Sequence, residues 1–139
     1  MRLIDANVII RFLVDDDPKQ SKACRALFSR LEEGSEHVEL LLPVLFEVVY
    51  VLQRVYHRQR HDIARVLLAI IQLPTVHVQG KQMTQRMLEY WSTRNIDLTD
   101  CYLVAVLENS KRSELYSFDR DFDKFTFITR VEPRVGARR

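Results

Sequence analysis

Carboxylate side chains recur in this sequence at points where a strand is expected to end or a helix to begin. Asp5 follows the short apolar run 3–4, and a helix-like pattern starts directly after it. Asp119 follows a second apolar run in the same way, while Glu47 and Asp100 lie near the starts of two strongly apolar helical segments. In open α/β sheets, ligands bind outside the carboxyl ends of the strands. These four acids are therefore the first candidates for a functional site.

Four carboxylates that met at one edge of a sheet would repel one another. Two unit charges about 4 Å apart repel by about 4 kcal/mol at an effective dielectric constant of 20. Such a cluster either takes up protons or binds a hard cation, and oxygen ligands without Cys or His favour Mg²⁺ or Mn²⁺ over zinc. Convergence of the acids requires the first and fourth strands to be neighbours.

Each acid also has a plain structural explanation. Asp5 can act as a helix cap, as can Asp97 or Thr99 before a later helix. Glu47 can mark the solvent side of an amphipathic helix, although it lies among apolar residues, where a buried carboxylate needs a partner. Asp100 can complement the helix dipole. A cap or first-turn acid can bind a metal ion as well, so these uses do not exclude a site.

Other acid and histidine clusters have weaker claims to be a site. The run 15–17 comes directly before a proline, which is typical of a solvated helix start. His57 and His61 have a metal-like spacing but lie among basic and polar residues. An EF-hand loop beginning at Asp119 is excluded, because Lys124 and Arg130 stand where the loop needs Gly and Glu.

The elements that must position the acids alternate along the chain. Apolar periodicity predicts the order β-α-α-β-α-α-β-α-α-β, with apolar strands near 38–43 and 115–118, a helix opened by Pro43, and a last short strand in the segment 125–129. This order implies a single α/β domain over 1–139. We expect a mainly parallel sheet of four to five strands with helices on both faces and right-handed crossovers.

Composition limits the class of protein. The chain is 47% hydrophobic and 29% charged, which is typical of a soluble globular protein. No apolar run is long enough to span a membrane, and the amino terminus lacks a signal-peptide core, so we expect a cytoplasmic protein with no membrane partner. Cys24 and Cys101 fit neither a zinc motif nor a disulfide framework and are expected to be small buried residues.

Basic residues are unevenly distributed although the net charge is only +2. They cluster at 54–65 and in the tail 130–139. A solvent-facing basic corner can contact phosphates. Candidates for such contacts with phosphates are Arg11, Arg54, Arg58 and Arg60.

In this order, the acids and their surroundings resemble the PIN-domain nucleases. The resemblance rests on Asp5 in LIDANVIIRFL, Glu47 in PVLFEV, Asp100 in LTDCYLVAVL, and Asp119 with Asp121 in YSFDRDFDKF. It covers essentially the whole chain and is strongest to the toxins of VapBC toxin–antitoxin pairs. It implies a PIN-like three-layer α/β/α sandwich.

The resemblance also implies the roles of individual residues. The catalytic acids would be Asp5, Glu47, Asp100 and Asp119, and the family's additional metal-binding acid falls on Asp121. Glu47 could bind metal or orient the attacking water, and these two roles stay open. The supporting positions beside the acids fall on Asn7, Ser117 and, less directly, Asp97, which is equally a helix cap.

The activity implied is that of an endoribonuclease dependent on Mg²⁺ or Mn²⁺, leaving a 5′-phosphate and a 3′-hydroxyl. Its partners would be the RNA substrate, a VapB-like antitoxin and a second copy of the chain in a homodimer. The alternatives are a PIN nuclease of RNA processing or DNA-linked repair outside a toxin pair, and a non-catalytic PIN-like binding module. A phosphate-accepting receiver domain fits the spacing of the acids poorly. The RNA substrate is not specified by the sequence.

Overall fold

The structure, a computed structural model, describes residues 1–136 and contains the predicted alternation of strands and helices. The elements in chain order are β1 Arg2–Leu3, α1 Ala6–Leu13, α2 Pro18–Glu33, β2 Val38–Glu39, α3 Leu42–Arg54, α4 Arg60–Ile71, β3 Val76–His77, α5 Lys81–Thr93, α6 Leu98–Ser110, β4 Glu114–Tyr116, a 3₁₀ helix Arg120–Lys124, and β5 Thr129–Val131. This order confirms the predicted α/β class.

All strand pairs in the described part of the chain are parallel, but they form two hydrogen-bonded groups. One sheet has the order β1-β2-β3 and the other pairs β4 with β5. The expected pairing of the first and fourth strands is therefore not made through backbone hydrogen bonds. The strands are only two or three residues long. Their relative positions therefore depend mainly on the packing of the helices.

Local sequence signals set the ends of α2 as predicted. Asp17 caps the helix by accepting a hydrogen bond from the Gln20 N–H at 3.1 Å, and Pro18 occupies the first turn. The helix ends at Gly34, whose φ of 85° lies in the left-handed region that glycine adopts without strain. The start of α3 also agrees with the sequence, because Pro43 lies in its first turn.

Two predicted strands have shifted or shortened. The segment 38–43 contributes only Val38–Glu39 to the sheet, because Leu41 already caps α3. The segment 125–129 is mostly a turn, in which the Ile128 N–H donates to the Phe125 carbonyl at 3.1 Å. Strand β5 therefore starts at Thr129.

A continuous core of buried apolar residues connects the helices with both sheets. Trp91 and Met87 of α5 are buried in it. Cys101 is fully buried, whereas Cys24 is only half-buried, so the prediction for the thiols is confirmed for one of the two. Within residues 1–136, none of the helices has the length and apolar character needed to cross a membrane.

Candidate active site

The loop after β4 holds Asp119 through two short backbone turns. The Asp119 N–H donates to the Ser117 hydroxyl at 2.9 Å, and the Asp119 carboxylate accepts from the Asp121 N–H at 2.9 Å. Asp119 thus caps the 3₁₀ helix, and Ser117 orients it from two residues upstream. This is the local geometry expected of short polar side chains that bond to nearby backbone.

Basic side chains compensate the neighbouring acids of the same loop. Arg130 donates to the Ser117 carbonyl at 3.2 Å and pairs with Asp123 at 3.0 Å. Lys124 lies 3.1 Å from the Asp121 carboxylate. Asp121, an expected metal ligand, therefore has a competing cation, whereas Asp119 makes no ion pair within the described residues.

The start of α6 brings two further acids to the surface. Asp97 occupies the cap position, but its side chain makes no capping hydrogen bond, and Asp100 follows in the first turn. The prediction that Asp97 caps the helix is thus correct for its position and wrong for its side chain. The carboxylate of Asp97 is left exposed to solvent beside that of Asp100.

The pKa of the Asp100 carboxyl is raised above its ordinary value of 3.8. Burial is the main cause, followed by the negative charges of Asp119, Asp97 and Asp121. A position in the first turn of a helix would by itself lower this pKa, because the helix dipole favours a negative charge there. The contributions of Asp119 and Asp121 indicate that the Asp119 loop lies close enough to the start of α6 for its charges to act on Asp100.

A basic side chain from α4 holds the loop that leads into α6. Arg60 donates to the carbonyl oxygens of Arg94 and Ile96 at 3.0 Å and 2.5 Å, and its guanidinium lies 5.0 Å from the centre of the Trp91 ring. These contacts fix the backbone directly before Asp97. Arg60 was expected on the RNA-binding surface, but its guanidinium is engaged with the protein itself.

Asp5 follows β1 and caps α1, as predicted both for an acid at the end of a strand and for a helix cap. One oxygen of its carboxylate accepts a hydrogen bond from the Ala6 N–H at 2.7 Å, and the residue is exposed. Asn7, two residues after Asp5, is exposed as well. Neither Asp5 nor Glu47 is among the groups whose charge raises the pKa of Asp100.

Glu47 lies on the exposed face of α3, not in apolar surroundings. Of the two interpretations of this acid, the solvent side of an amphipathic helix is confirmed, because Leu45, Val48 and Val49 turn inward while Glu47 faces solvent. Tyr50 and Arg54 share its face, as the helical spacing predicts.

A shallow groove of about 320 Å³ separates α3 from the start of α6, and we call it the α3–α6 groove. Residues from α3 form one wall, and Asp97, Thr99 and Asp100 belong to the other. Its full lining is Phe46, Val49, Tyr50, Gln53, Asp97, Leu98, Thr99 and Asp100. The groove places an aromatic surface beside the acids of α6.

The acids gathered in this region supply oxygen ligands but no preformed cage. Among residues 1–136, no three His, Cys, Asp or Glu side chains are arranged to hold a metal ion. The set that interacts with Asp100 contains Asp97 in place of Asp5 and Glu47. The spacing of three between Asp97 and Asp100 at a helix start is the sequence signal that places these two acids together.

The other arginines expected to contact RNA differ in their surroundings. Arg11 is held by Gln20 at 3.0 Å and Asp16 at 3.4 Å. Arg58 is exposed at the turn before α4. Arg54 is exposed, and within the described residues it makes no ion pair.

Comparison with known proteins identifies the fold family. The family model of the PIN domain matches residues 2–128. The chain belongs to the PIN-domain family. The predicted PIN-like sandwich is therefore confirmed.

Individual relatives of this PIN domain include a curated bacterial protein and a solved structure. The VapC ribonuclease of Aquifex aeolicus (strain VF5) is 27% identical over 129 residues, which cover 93% of this chain and 95% of the relative. The crystal structure of Mycobacterium tuberculosis VapC20, described as a sarcin–ricin loop cleaving toxin, is 21% identical. That comparison covers 96% of this chain and 100% of the VapC20 chain, with a TM-score of 0.42.

Proposed function

We propose that this PIN domain is a metal-dependent endoribonuclease and the toxin component of a type II toxin–antitoxin pair. The observation that carries the proposal is the gathering of acids around Asp100, whose pKa is raised by burial and by its acidic neighbours. A fold gains nothing in stability from such crowding, and perturbed carboxyls in a cleft are characteristic of functional sites. The family membership and the curated VapC relative support the assignment to ribonucleases.

The donor set fits Mg²⁺ or Mn²⁺ better than other ions. Both prefer carboxylate and water oxygens, and Mg²⁺ keeps several waters while binding through one or two carboxylates and substrate phosphates. A site that lacks a complete protein cage is therefore compatible with Mg²⁺ bound together with RNA. The proposed metal ligands are Asp5, Asp100, Asp119 and Asp121, and Asp97 joins them because its exposed carboxylate makes no capping hydrogen bond and lies beside Asp100.

The remaining residues position these acids. Ser117 orients Asp119 through the backbone, and Asn7 extends the exposed surface next to Asp5. Glu47 is an exposed carboxylate on the neighbouring helix, available to a metal ion or to the attacking water. When bound, the divalent ion supplies Lewis-acid stabilisation of the phosphate and activates a water.

Phosphate contacts are assigned by the availability of each guanidinium. Arg54 and Arg58 are exposed and are the stronger candidates. Arg11 and Arg60 are engaged with protein oxygens, so we assign them to positioning. Phosphate contacts of this kind supply affinity without reading sequence.

The toxin assignment brings partners with it. An antitoxin whose basic side chain entered the acid cluster would compensate the charges there, and a second copy of the chain would complete a homodimer. Both would act in the cytoplasm, where the RNA substrate lies.

Expression of the chain alone should arrest bacterial growth, and co-expression of the neighbouring gene should relieve the arrest. A nuclease of RNA processing outside a toxin pair would show no such relief.

The central experiment is cleavage of total RNA by the purified chain. We expect cleavage with Mg²⁺ or Mn²⁺, none in EDTA, and recovery when the ion is restored. Asp100→Asn should lower the rate by about a thousandfold or more, since the loss of a group that binds the ion removes several kcal/mol of transition-state stabilisation. Asp5→Asn should do the same.

Asp62→Asn is the matched control, because Asp62 is an exposed first-turn acid on α4, outside the acid cluster. It should cleave like the parent chain. Cleavage by Asp100→Asn at the parental rate, or cleavage that persists in EDTA, would contradict the proposal.

A further inference from the structure

Tyr50 presents an aromatic ring to solvent beside the acid cluster. The residue is 61% exposed, and it lies one helical turn from Glu47 on the same face of α3. It also lines the α3–α6 groove opposite Asp97 and Asp100. An aromatic side chain left this open gains little for the fold, because most of its surface is not removed from water.

Arg54 adds a positive charge to this surface. Its guanidinium carbon lies 5.7 Å from the centre of the Tyr50 ring, a cation–π arrangement one helical turn further along α3. No carboxylate in the described part of the chain pairs with it. An unpaired guanidinium next to an exposed ring is suited to a ligand that carries both a phosphate and a flat base.

The groove itself supplies the remaining features of a nucleotide subsite. Phe46 and Val49 contribute apolar groups to its lining, while Gln53 and Thr99 contribute groups that can form hydrogen bonds. Its volume of about 320 Å³ is at the lower end of small-molecule pockets, which suits one nucleotide better than a protein helix or strand. It leads directly to Asp100.

We propose that the α3–α6 groove binds one nucleotide of single-stranded RNA, with Tyr50 stacking on the base and Arg54 contacting an adjacent phosphate. The inference deepens the proposed function and rests on it, since the bound nucleotide would lie next to the scissile phosphate. Single-stranded RNA is commonly bound by stacking of unpaired bases on aromatic rings and Arg planes. Stacking tolerates any base, so this subsite sets affinity and position along the strand more than sequence.

The test is binding of a ten-nucleotide oligouridylate with a 5′-fluorescein label, measured by fluorescence anisotropy in Mg²⁺ on chains that all carry Asp5→Asn, so that the acids keep their ion while cleavage is slowed. Tyr50→Ala should weaken binding about tenfold, the effect of losing one base–aromatic stack. Tyr50→Phe keeps the ring and should bind within about twofold of the parent chain. Arg54→Gln should reduce the salt dependence of binding by about one phosphate contact.

Tyr116→Ala is the matched control, because Tyr116 is 63% exposed and lies outside the groove. It should bind like the parent chain. Photo-crosslinking of a 5-iodouridine-substituted oligonucleotide should attach the RNA to Tyr50, with the position read by mass spectrometry.

Parental affinity in Tyr50→Ala, an equal loss in Tyr116→Ala, no binding by the parent chain, or crosslinks only outside the groove would each overturn the inference. If Tyr50→Ala binds RNA normally but loses binding to an antitoxin, the groove is a protein-binding surface and the inference is wrong. Cleavage that depends on Asp100 but not on Tyr50 would leave the proposed function intact and reject the subsite. Binding that depends on Tyr50, in a chain whose cleavage does not depend on Asp100, would support the subsite and reject the proposed function.

Discussion

The two ends of α6 carry acids in opposite electrostatic situations. Near its start, Asp100 is partly buried beside other acids, and both the burial and these acids raise its pKa. Near its end, Glu108 accepts hydrogen bonds from Arg86 at 2.8 Å and Tyr90 at 2.8 Å, and its pKa is lowered from 4.5. The helix dipole alone would shift both pKa values the other way. Burial and the neighbouring acids therefore outweigh the dipole at the start of α6, and the hydrogen bond from Arg86 outweighs it near the end.

The difference separates a stabilising network from a region suited to binding. The Arg86–Tyr90–Glu108 network joins α5 to α6, with the Arg86 guanidinium also 4.1 Å from the centre of the Tyr90 ring. The start of α6 has no cation among the groups that shift the pKa of Asp100. A charge arrangement that costs stability persists at this end because, in the proposed function, an ion and RNA complete it.

The largest effect on stability is expected at Arg60, which holds the backbone at the start of α6 in place. Arg60→Ala removes two charge-assisted hydrogen bonds to the backbone before Asp97 and should lower the free energy of unfolding by about 2 kcal/mol. Urea denaturation measures the change. Arg58→Ala is the control, since Arg58 is exposed and its loss should leave stability unchanged while weakening RNA binding. Equal stability of the two variants would contradict the positioning role of Arg60.

A smaller loss is expected at the compensated end. Glu108→Gln should lower the free energy of unfolding by about 1 kcal/mol at pH 7, a figure that allows for screening of this partly exposed group. Because the pKa of Glu108 is lowered in the folded state, its stabilisation is complete above pH 4.5 and is lost as the pH falls through the folded-state pKa. Denaturation at pH 7 and pH 3 should show the difference between variant and parent shrinking. RNA cleavage should be retained in Glu108→Gln. A loss of cleavage as large as that in Asp100→Asn would contradict the assignment of function to the start of α6 and stability to its end.

The smallest expected change in the free energy of unfolding is an increase. In EDTA at pH 7, Asp100→Asn should raise the free energy of unfolding by up to about 0.5 kcal/mol, because it removes a carboxylate that is partly buried among like charges and screened by water. Asp123→Asn is the control from the same acidic region, and it should lower stability, because Asp123 is paired with Arg130. Thermal denaturation compares both with the parent chain. A fall in stability for Asp100→Asn would mean that this carboxylate has a stabilising partner.

Much of the fold could be predicted because local signals are strong where they occur. Asp17, Pro18 and Gly34 bound α2 through capping and backbone preferences that act within a few residues. The strands were less predictable. Their apolar runs fit buried turns as well as strands, and Phe125 and Ile128 are buried in a turn. Such runs have no periodicity that separates the two states.

The sequence by itself determined the order of the elements, the positions of the acids at their ends and the resemblance to PIN-domain nucleases. These properties follow from residue types and short-range spacing. Only the tertiary structure decided that Asp97 is free beside Asp100, that Glu47 faces solvent, that Arg60 binds backbone and that Tyr50 lines a groove next to the acids. Each of these depends on which helices pack together, and that packing joins residues far apart in the chain.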